Sequence, residues 1–189
     1  QFIKESFKSD YYIYYHVLYK SERFLKDKKP EGSELWHADG GPGTCMNLMI
    51  CHSPLNKMNG AMKIIPWRES KSLLNKLYFE YKKIIREKKK EKGFANLNRL
   101  ALREIKCALL EKFINEKSLN YFQPNSSNSG MIYAFRNNCV HAGGYTEVGH
   151  ERFVSVMHIY PSTKKSTVEE KFRHAHNKID GHPDINKFS

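Results

Sequence analysis

The chain lacks any long hydrophobic run, and that absence excludes a membrane-spanning helix. No stretch of about 18 consecutive apolar residues, the length typical of a candidate span, occurs in the 189 residues. Cysteine is also scarce, and the four thiols contain no C-x-x-C pair. That spacing argues against a structural zinc site and against a disulfide framework. A reducing compartment, the cytoplasm, is therefore the expected location.

The first residues lack an initiator methionine and the apolar segment of a signal peptide. The chain begins Gln1-Phe2-Ile3-Lys4-Glu5, so we expect the natural protein to contain further residues upstream. The length of 189 residues suits one domain. A hydrophobic content of 40% and a charged content of 28% are typical of a globular chain. We therefore expect residues 1–189 to form a single domain.

Positive charge is in excess, with a formal net charge of +12. Such an excess is one sign of a nucleic-acid or other polyanionic partner, but heavy use of lysine on solvated surfaces is the favoured explanation. The densest run, Lys88-Lys89-Lys90 with Lys92, contains no aromatic residue. It therefore lacks the stacking platform of a single-strand groove, and a nucleic-acid partner is not favoured.

Hydrophobic periodicity predicts strands at both ends of the chain and two helices between them. From Ser70, apolar residues recur at spacings of three and four, which predicts a helix that stops at Gly93. A second helix is predicted from about Leu100 to Glu116, so residues 70–117 form a helical insertion. This order excludes regular βαβ alternation and favours a mainly β sandwich or barrel with helices on one side. The predicted strands are residues 10–19, 44–52, 61–66, 131–136 and 152–160.

Two histidines and one aspartate are the strongest candidates for a metal site. His37 and Asp39 are two residues apart, so on a strand their side chains project to the same face. A later strand that contains His141 could bring a second imidazole to the same space. Two imidazoles and one carboxylate form the facial triad of non-haem Fe(II) oxygenases, which leaves the remaining coordination positions open.

Four segments together resemble the phytanoyl-CoA dioxygenase-like family. They are Trp36-His37-Ala38-Asp39, Asn59-Gly60-Ala61-Met62-Lys63-Ile64-Ile65-Pro66, Gly130-Met131-Ile132-Tyr133-Ala134-Phe135, and His141 followed by Arg152. The resemblance covers residues 30–67 and 128–161. It implies a double-stranded β-helix core, in which His37, Asp39 and His141 hold Fe(II).

The resemblance also implies an enzyme that uses 2-oxoglutarate as co-substrate. Arg152 would pair with the distal carboxylate of 2-oxoglutarate, because a guanidinium matches a carboxylate bidentately. The implied reaction consumes dioxygen, releases succinate and CO2, and hydroxylates a small-molecule substrate.

The sequence departs from the family pattern at two places. Many relatives place Ser or Thr two residues after the arginine, where this chain has Val154. Thr44 and Asn47 are the candidates for the missing second contact to the co-substrate. Relatives also continue past the proline with Gly-Ser-His, where this chain has Trp67-Arg68. These two residues are candidate substrate contacts, although Trp67 could equally pack against the first helix.

Two alternatives to the dioxygenase remain open at the level of sequence. One is a cupin-like metalloenzyme that does not use 2-oxoglutarate and has no need of Arg152. The other is a basic β-sandwich module that binds a polyanion through the lysine-rich helices. Binding by such a module would depend on salt and would require no metal.

Overall fold

The computed structural model describes residues 1–23, 29–39, 45–92 and 99–162. Thr44, the predicted helix stop at Gly93, and the tail after residue 162 lie outside these ranges. The elements in chain order are α1 (Phe2–Phe7), β1 (Asp10–Glu22), a short 3-10 helix (Gly32–Glu34), β2 (Met46–Cys51), β3 (Lys63–Ile64), α2 (Trp67–Lys92), α3 (Arg99–Lys117), β4 (Ile132–Arg136), β5 (His141–Ala142) and β6 (Glu151–Ser162).

The larger sheet has four antiparallel strands in the order β1-β6-β2-β4. Alternate residues of β2 are buried, so Asn47, Met49 and Cys51 project to the interior. On β6 the interior face includes Arg152 and Val154. The two-residue side-chain period of a strand therefore places polar and apolar groups of both strands inside the same barrel.

The smaller sheet contains β3 and β5, and two isolated bridges extend it. His37 pairs with His141 on one side, and Ile64 pairs with Phe122 on the other. The order across this sheet is therefore the His37 segment, β5, β3 and the Phe122 segment. Along the chain, the eight segments alternate between the two sheets, except that β3 and the Phe122 segment follow each other within the smaller sheet. This topology is a double-stranded β-helix, and the predicted mainly β fold with helices is confirmed.

The two long helices lie in sequence between β3 and the Phe122 segment. Helix α2 begins at Trp67, three residues before the predicted Ser70. The charged residues Arg68 and Glu69 obscure the apolar period of the first turn, although Ser70 N–H already bonds to the Pro66 carbonyl at 2.9 Å. No helix in the described ranges is long and apolar enough to cross a membrane.

One buried cluster joins the helices to the smaller sheet. It contains Trp36, Ile65, Leu73, Leu77, Leu110, Phe113, Ile114, Val140 and Ala142. Ser70 adds a polar link, because its hydroxyl donates to the Ile65 carbonyl at 2.9 Å and accepts from Val140 N–H at 2.8 Å. The first turn of α2 is thereby fixed next to the strand that carries His141.

Two glycines explain why the segment after His141 is glycine-rich. Gly60 has φ of +83°, a conformation that L side chains rarely adopt. A Cβ atom on Gly144 would lie 2.1 Å from the Gly60 carbonyl carbon. The backbone around Gly60 and the backbone after His141 therefore approach too closely for any side chain between them.

Candidate metal centre

His37 and His141 form a reciprocal backbone pair across the smaller sheet. His37 N–H bonds to the His141 carbonyl at 2.9 Å, and His141 N–H bonds to the His37 carbonyl at 2.8 Å. Asp39 N–H bonds to the Asn137 carbonyl at 3.1 Å, which continues the pairing. His37 and His141, which are 104 positions apart in the sequence, are thus held directly opposite each other.

The side chains of His37, Asp39 and His141 converge on one point. One ligand atom from each residue lies within 4.8 Å of the other two. Nε2 of His37 is 3.7 Å from Oδ1 of Asp39, and Nε2 of His141 is 3.7 Å from Oδ2. These separations are too long for hydrogen bonds, but one ion could contact all three groups.

Local hydrogen bonds determine which ring nitrogen of each histidine faces the aspartate. Nδ1 of His37 lies 2.7 Å from the Leu35 carbonyl, and Nδ1 of His141 lies 2.8 Å from the Cys139 carbonyl. A carbonyl only accepts, so each Nδ1 carries a proton, and in the neutral form of each ring Nε2 then presents a lone pair. Such an orienting bond to the second nitrogen is typical of metal-binding histidines.

Burial keeps the His141 imidazole neutral. Removal from water is the largest cause that lowers the pKa of His141 to about 4; unfavourable electrostatic interaction with the His37 ring adds to it, and Asp39 acts in the opposite direction. A proton on this ring therefore does not bridge it to Asp39 near neutral pH. Without a proton or a cation between them, the electron-rich imidazole nitrogens and the carboxylate oxygens repel one another. A divalent cation placed between them would attract all three groups. The donor set therefore fits a metal such as Fe(II).

Asn47 orients the carboxylate. Its Nδ2 donates to Oδ2 of Asp39 at 2.7 Å, while its own Oδ1 is buried without a hydrogen-bond partner among the described residues. The sequence predicted Asn47 as a co-substrate contact. The structure places its amide against Asp39. This is the position of a residue that orients a metal ligand by a hydrogen bond.

Arg152 is buried with almost nothing to neutralise it. Arg152 is only 4% exposed, and its Nε has no hydrogen-bond partner among the described residues. One terminal nitrogen reaches Ser21 Oγ at 3.3 Å, and the guanidinium lies 6.0 Å from the ring of Tyr19. No described carboxylate pairs with it. A buried cation without a counter-charge is costly, so this position fits an anionic ligand.

Tyr133 is a residue that sequence reasoning did not select. Its hydroxyl is buried without a partner among the described residues. Burial raises the pKa of Tyr133, while the positive charge of Arg152 acts to lower it, which shows that the two groups are electrostatically close. The alternation along β4 was the available signal, since Tyr133 and Phe135 share a face on the strand that follows Gly130.

An aromatic wall connects this region to the histidine pair. The rings of Tyr133 and Phe135 are stacked with centroids 6.5 Å apart. Phe135 in turn meets the ring of His141 edge-on at 5.0 Å.

His158, on the interior face of β6 opposite Asn47, has its pKa lowered by burial. Arg152 and the His–Asp–His cluster therefore face one continuous interior.

The predicted substrate residues Trp67 and Arg68 lie elsewhere. Trp67 packs against the buried cluster that includes Met62 and Cys139, and the guanidinium of Arg136 lies 5.4 Å from its ring. Arg68 is exposed. The structure does not bring either residue to the cavity beside His37 and Asp39, and their role in substrate binding stays a prediction.

A cavity of about 1090 Å³ opens from the cluster towards the helices. Trp36, His37, Ala38 and Asp39 line one end of it, together with Asn138. Residues of α2 and α3 form the rest of the wall. This volume is enough for a small-molecule ligand, and the two helices therefore stand at the mouth of the candidate site.

Comparison with known proteins gives only distant similarities. No protein-family model matches the chain, and no curated protein matches it by sequence. Among solved structures, the chain is similar to EvdMO1, with 16% identity, a TM-score of 0.45, and coverage of 80% of this chain and 27% of the other.

Two further structures are similar at the same level. For the non-haem α-ketoglutarate-dependent epimerase SnoN from nogalamycin biosynthesis, identity is 10%, the TM-score is 0.49, and the alignment covers 84% of this chain and 50% of the other. For AviO1 from Streptomyces viridochromogenes Tue57, identity is 15%, the TM-score is 0.47, and the alignment covers 87% of this chain and 57% of the other. This chain spans roughly a quarter to just over half of these proteins' length. At these values the similarity assigns no activity to this chain.

Proposed function

We propose that this chain is an Fe(II)- and 2-oxoglutarate-dependent dioxygenase that hydroxylates a small molecule. The observation that carries the proposal is the convergence of His37, Asp39 and His141, with Nε2 of both histidines directed at one carboxylate. Two imidazoles and a carboxylate are suitable ligands for Fe(II) and leave coordination positions open for a co-substrate and dioxygen.

Arg152 favours 2-oxoglutarate as the co-substrate over the cupin-like alternative. A cupin-like metalloenzyme would have no use for a buried guanidinium without a described counter-charge. A dicarboxylate that chelates the metal at one end would supply that counter-charge at the other. The hydroxyl of Tyr133 is the second donor we assign to this carboxylate, in place of the Ser or Thr that Val154 replaces.

The residues of this chain bind, orient and exclude water. His37, Asp39 and His141 would hold the metal, and Asn47 would keep Oδ2 of Asp39 turned towards it. Phe135 and Tyr133 would cover the co-substrate side of the site and keep water away from it. When bound, Fe(II) with 2-oxoglutarate and dioxygen supplies the oxidising chemistry, which releases succinate and CO2 and inserts one oxygen atom into a C–H bond.

Succinate formation tests the proposal directly. Purified protein is incubated with Fe(II), 2-oxoglutarate, ascorbate and a panel of small molecules, and succinate is quantified. We expect basal turnover of 2-oxoglutarate that a substrate accelerates and that a chelator abolishes. A protein that binds Fe(II) tightly but neither binds nor consumes 2-oxoglutarate would instead support the cupin-like enzyme.

A further inference from the structure

The cavity beside the candidate metal centre has walls of two kinds. Its inner end is apolar, because Trp36, Leu77 and Leu110 line it and belong to one buried cluster. Leu74 and Tyr81 continue this surface along α2. A ligand that enters this part of the cavity must therefore present an apolar body to it.

The outer end of the same cavity is cationic. Lys82 on α2 and Arg103 and Lys106 on α3 line it. Among the described lining residues, Asp39 is the only carboxylate, and it belongs to the metal cluster. None of the three cations forms an ion pair with a described acid.

Aromatic rings hold two of these cations at the rim. Nζ of Lys106 lies 4.8 Å from the ring of Tyr81 on the facing helix, and Nζ of Lys82 lies 4.1 Å from the ring of Tyr78. The Lys82 ammonium also donates to the Tyr78 hydroxyl. Because an ammonium has three N–H donors, each of these two groups keeps donors for a ligand while the ring fixes its position. Positive charge from two helices thus meets at one opening rather than spreading over the surface.

We propose that the substrate of this site is an amphipathic acid, with an apolar body and one carboxylate or phosphate group. The proposal rests on the proposed function and specifies its substrate class. The anionic group binds Lys82, Arg103 and Lys106, and the apolar body extends inwards between α2 and α3. The end opposite the acid group then faces His37 and Asp39.

Helix geometry gives the length of such a substrate. Leu77 precedes Lys82 by five residues, and Leu110 follows Arg103 by seven. At a rise of 1.5 Å per residue, these spacings separate the Cα atoms of the cationic and apolar residues by about 8 to 10 Å along each helix axis. The oxidised carbon is therefore expected about 10 Å or more from the anionic group.

Asn138 supplies a polar contact on the cavity wall. It lines the cavity, and its Oδ1 is buried without a hydrogen-bond partner among the described residues. A hydroxyl or amide N–H on the body of the substrate would satisfy this acceptor. The best ligands are therefore expected to carry one such donor in addition to the acid.

The test compares ligands that differ only in their head group. Decanoate, decyl phosphate and 1-decanol are titrated calorimetrically into the anaerobic protein loaded with Fe(II) and 2-oxoglutarate. We expect both acids to bind about tenfold more tightly than the alcohol, as charge-assisted contacts would give. Similar affinities for all three would overturn the proposal.

Matched variants locate the preference. In the double variant Arg103→Gln/Lys106→Gln, the acids should lose most of their advantage, while 1-decanol binds as before. The control Lys71→Gln/Lys112→Gln removes the same charge from exposed positions outside the cavity and should keep the preference. A preference that survives in the cavity variant, or that disappears equally in the control, contradicts the assignment.

The same titration separates this inference from the proposed function. If Fe(II) or 2-oxoglutarate does not bind, the proposed function fails, and the three ligands are then titrated into metal-free protein in chelator. If both bind but the acids show no preference, only the substrate class is wrong.

Discussion

Asn47 donates a 2.7 Å hydrogen bond to Oδ2 of Asp39, the same oxygen that lies 3.7 Å from Nε2 of His141. Asn47 is on β2 of the larger sheet, while His141 is on β5 of the smaller sheet. The carboxylate is therefore held from one sheet and directed at a histidine of the other. Both sheets must be correctly packed before the cluster exists.

The first prediction concerns the ligand itself. Asp39→Ala should abolish succinate formation and weaken Fe(II) binding by more than about tenfold, because it removes the only anionic donor of the cluster. Anaerobic Fe(II) titration followed by equilibrium dialysis measures the binding. Full iron affinity together with full turnover in this variant would show that the assigned ligands are wrong.

The second prediction concerns the residue behind the ligand. Asn47→Leu should lower metal affinity by about tenfold to a hundredfold, the usual effect of losing a group that orients a ligand. If Asn47 instead contacted 2-oxoglutarate, as the sequence suggested, the variant would mainly weaken 2-oxoglutarate binding. The comparison of the two dissociation constants decides between these roles.

The third prediction concerns the co-substrate arginine. Arg152→Ala should weaken 2-oxoglutarate binding by about tenfold to a hundredfold or more, since a charge-assisted hydrogen bond contributes about 1.5–3 kcal/mol. Arg152→Lys should recover only part of the loss, because an ammonium lacks the planar fork. The measurement is 2-oxoglutarate titration of the anaerobic Fe(II) protein. Unchanged affinity in Arg152→Ala would revive the cupin-like alternative.

The fourth prediction concerns Tyr133, whose hydroxyl is buried without a described partner. Tyr133→Phe should weaken the binding of 2-oxoglutarate by roughly threefold to tenfold, as expected for the loss of one hydrogen bond. It should leave Fe(II) binding unchanged. Tyr121→Phe, at an exposed tyrosine, is the matched control. Equal 2-oxoglutarate affinity in Tyr133→Phe and the control would remove Tyr133 from the co-substrate site.

The fifth prediction concerns pH and the metal-free protein. The pKa of His141 falls to about 4 on folding from an ordinary value of 6.5. As pH decreases below about 6.5, His141 binds a proton in the unfolded chain but not in the folded chain. The free energy of unfolding therefore decreases until about pH 4. Urea unfolding in chelator, from pH 7.5 to 4.5, should show this slope.

The variant His141→Leu isolates the contribution of this one group. It cannot take up the proton, so its free energy of unfolding should vary less steeply with pH between 6.5 and 4 than that of the parent protein. Identical slopes would mean that His141 is not neutralised by burial.

Sequence alone determined the features that depend on local spacing. The two-residue separation of His37 and Asp39 puts both side chains on one face of any extended segment. The three-and-four period after Ser70 predicts a helix. The start of α2 at Trp67, three residues earlier, is not visible in that period because Arg68 and Glu69 in the first turn are charged. The mainly β class with helices followed from the order of these patterns.

Tertiary structure decided which residues meet. The pairing of His37 with His141 and the closeness of Tyr133 to Arg152 join separate segments of the chain. The hydrogen bond from Asn47 to Asp39 spans only eight residues, but it depends on how the strand that contains Asn47 packs over the His37–Asp39 segment. Strand register and sheet packing set such contacts, and neither has a local period in the sequence. For the same reason, only the packed α2–α3 pair could bring Lys82, Arg103 and Lys106 to one opening beside the candidate metal centre.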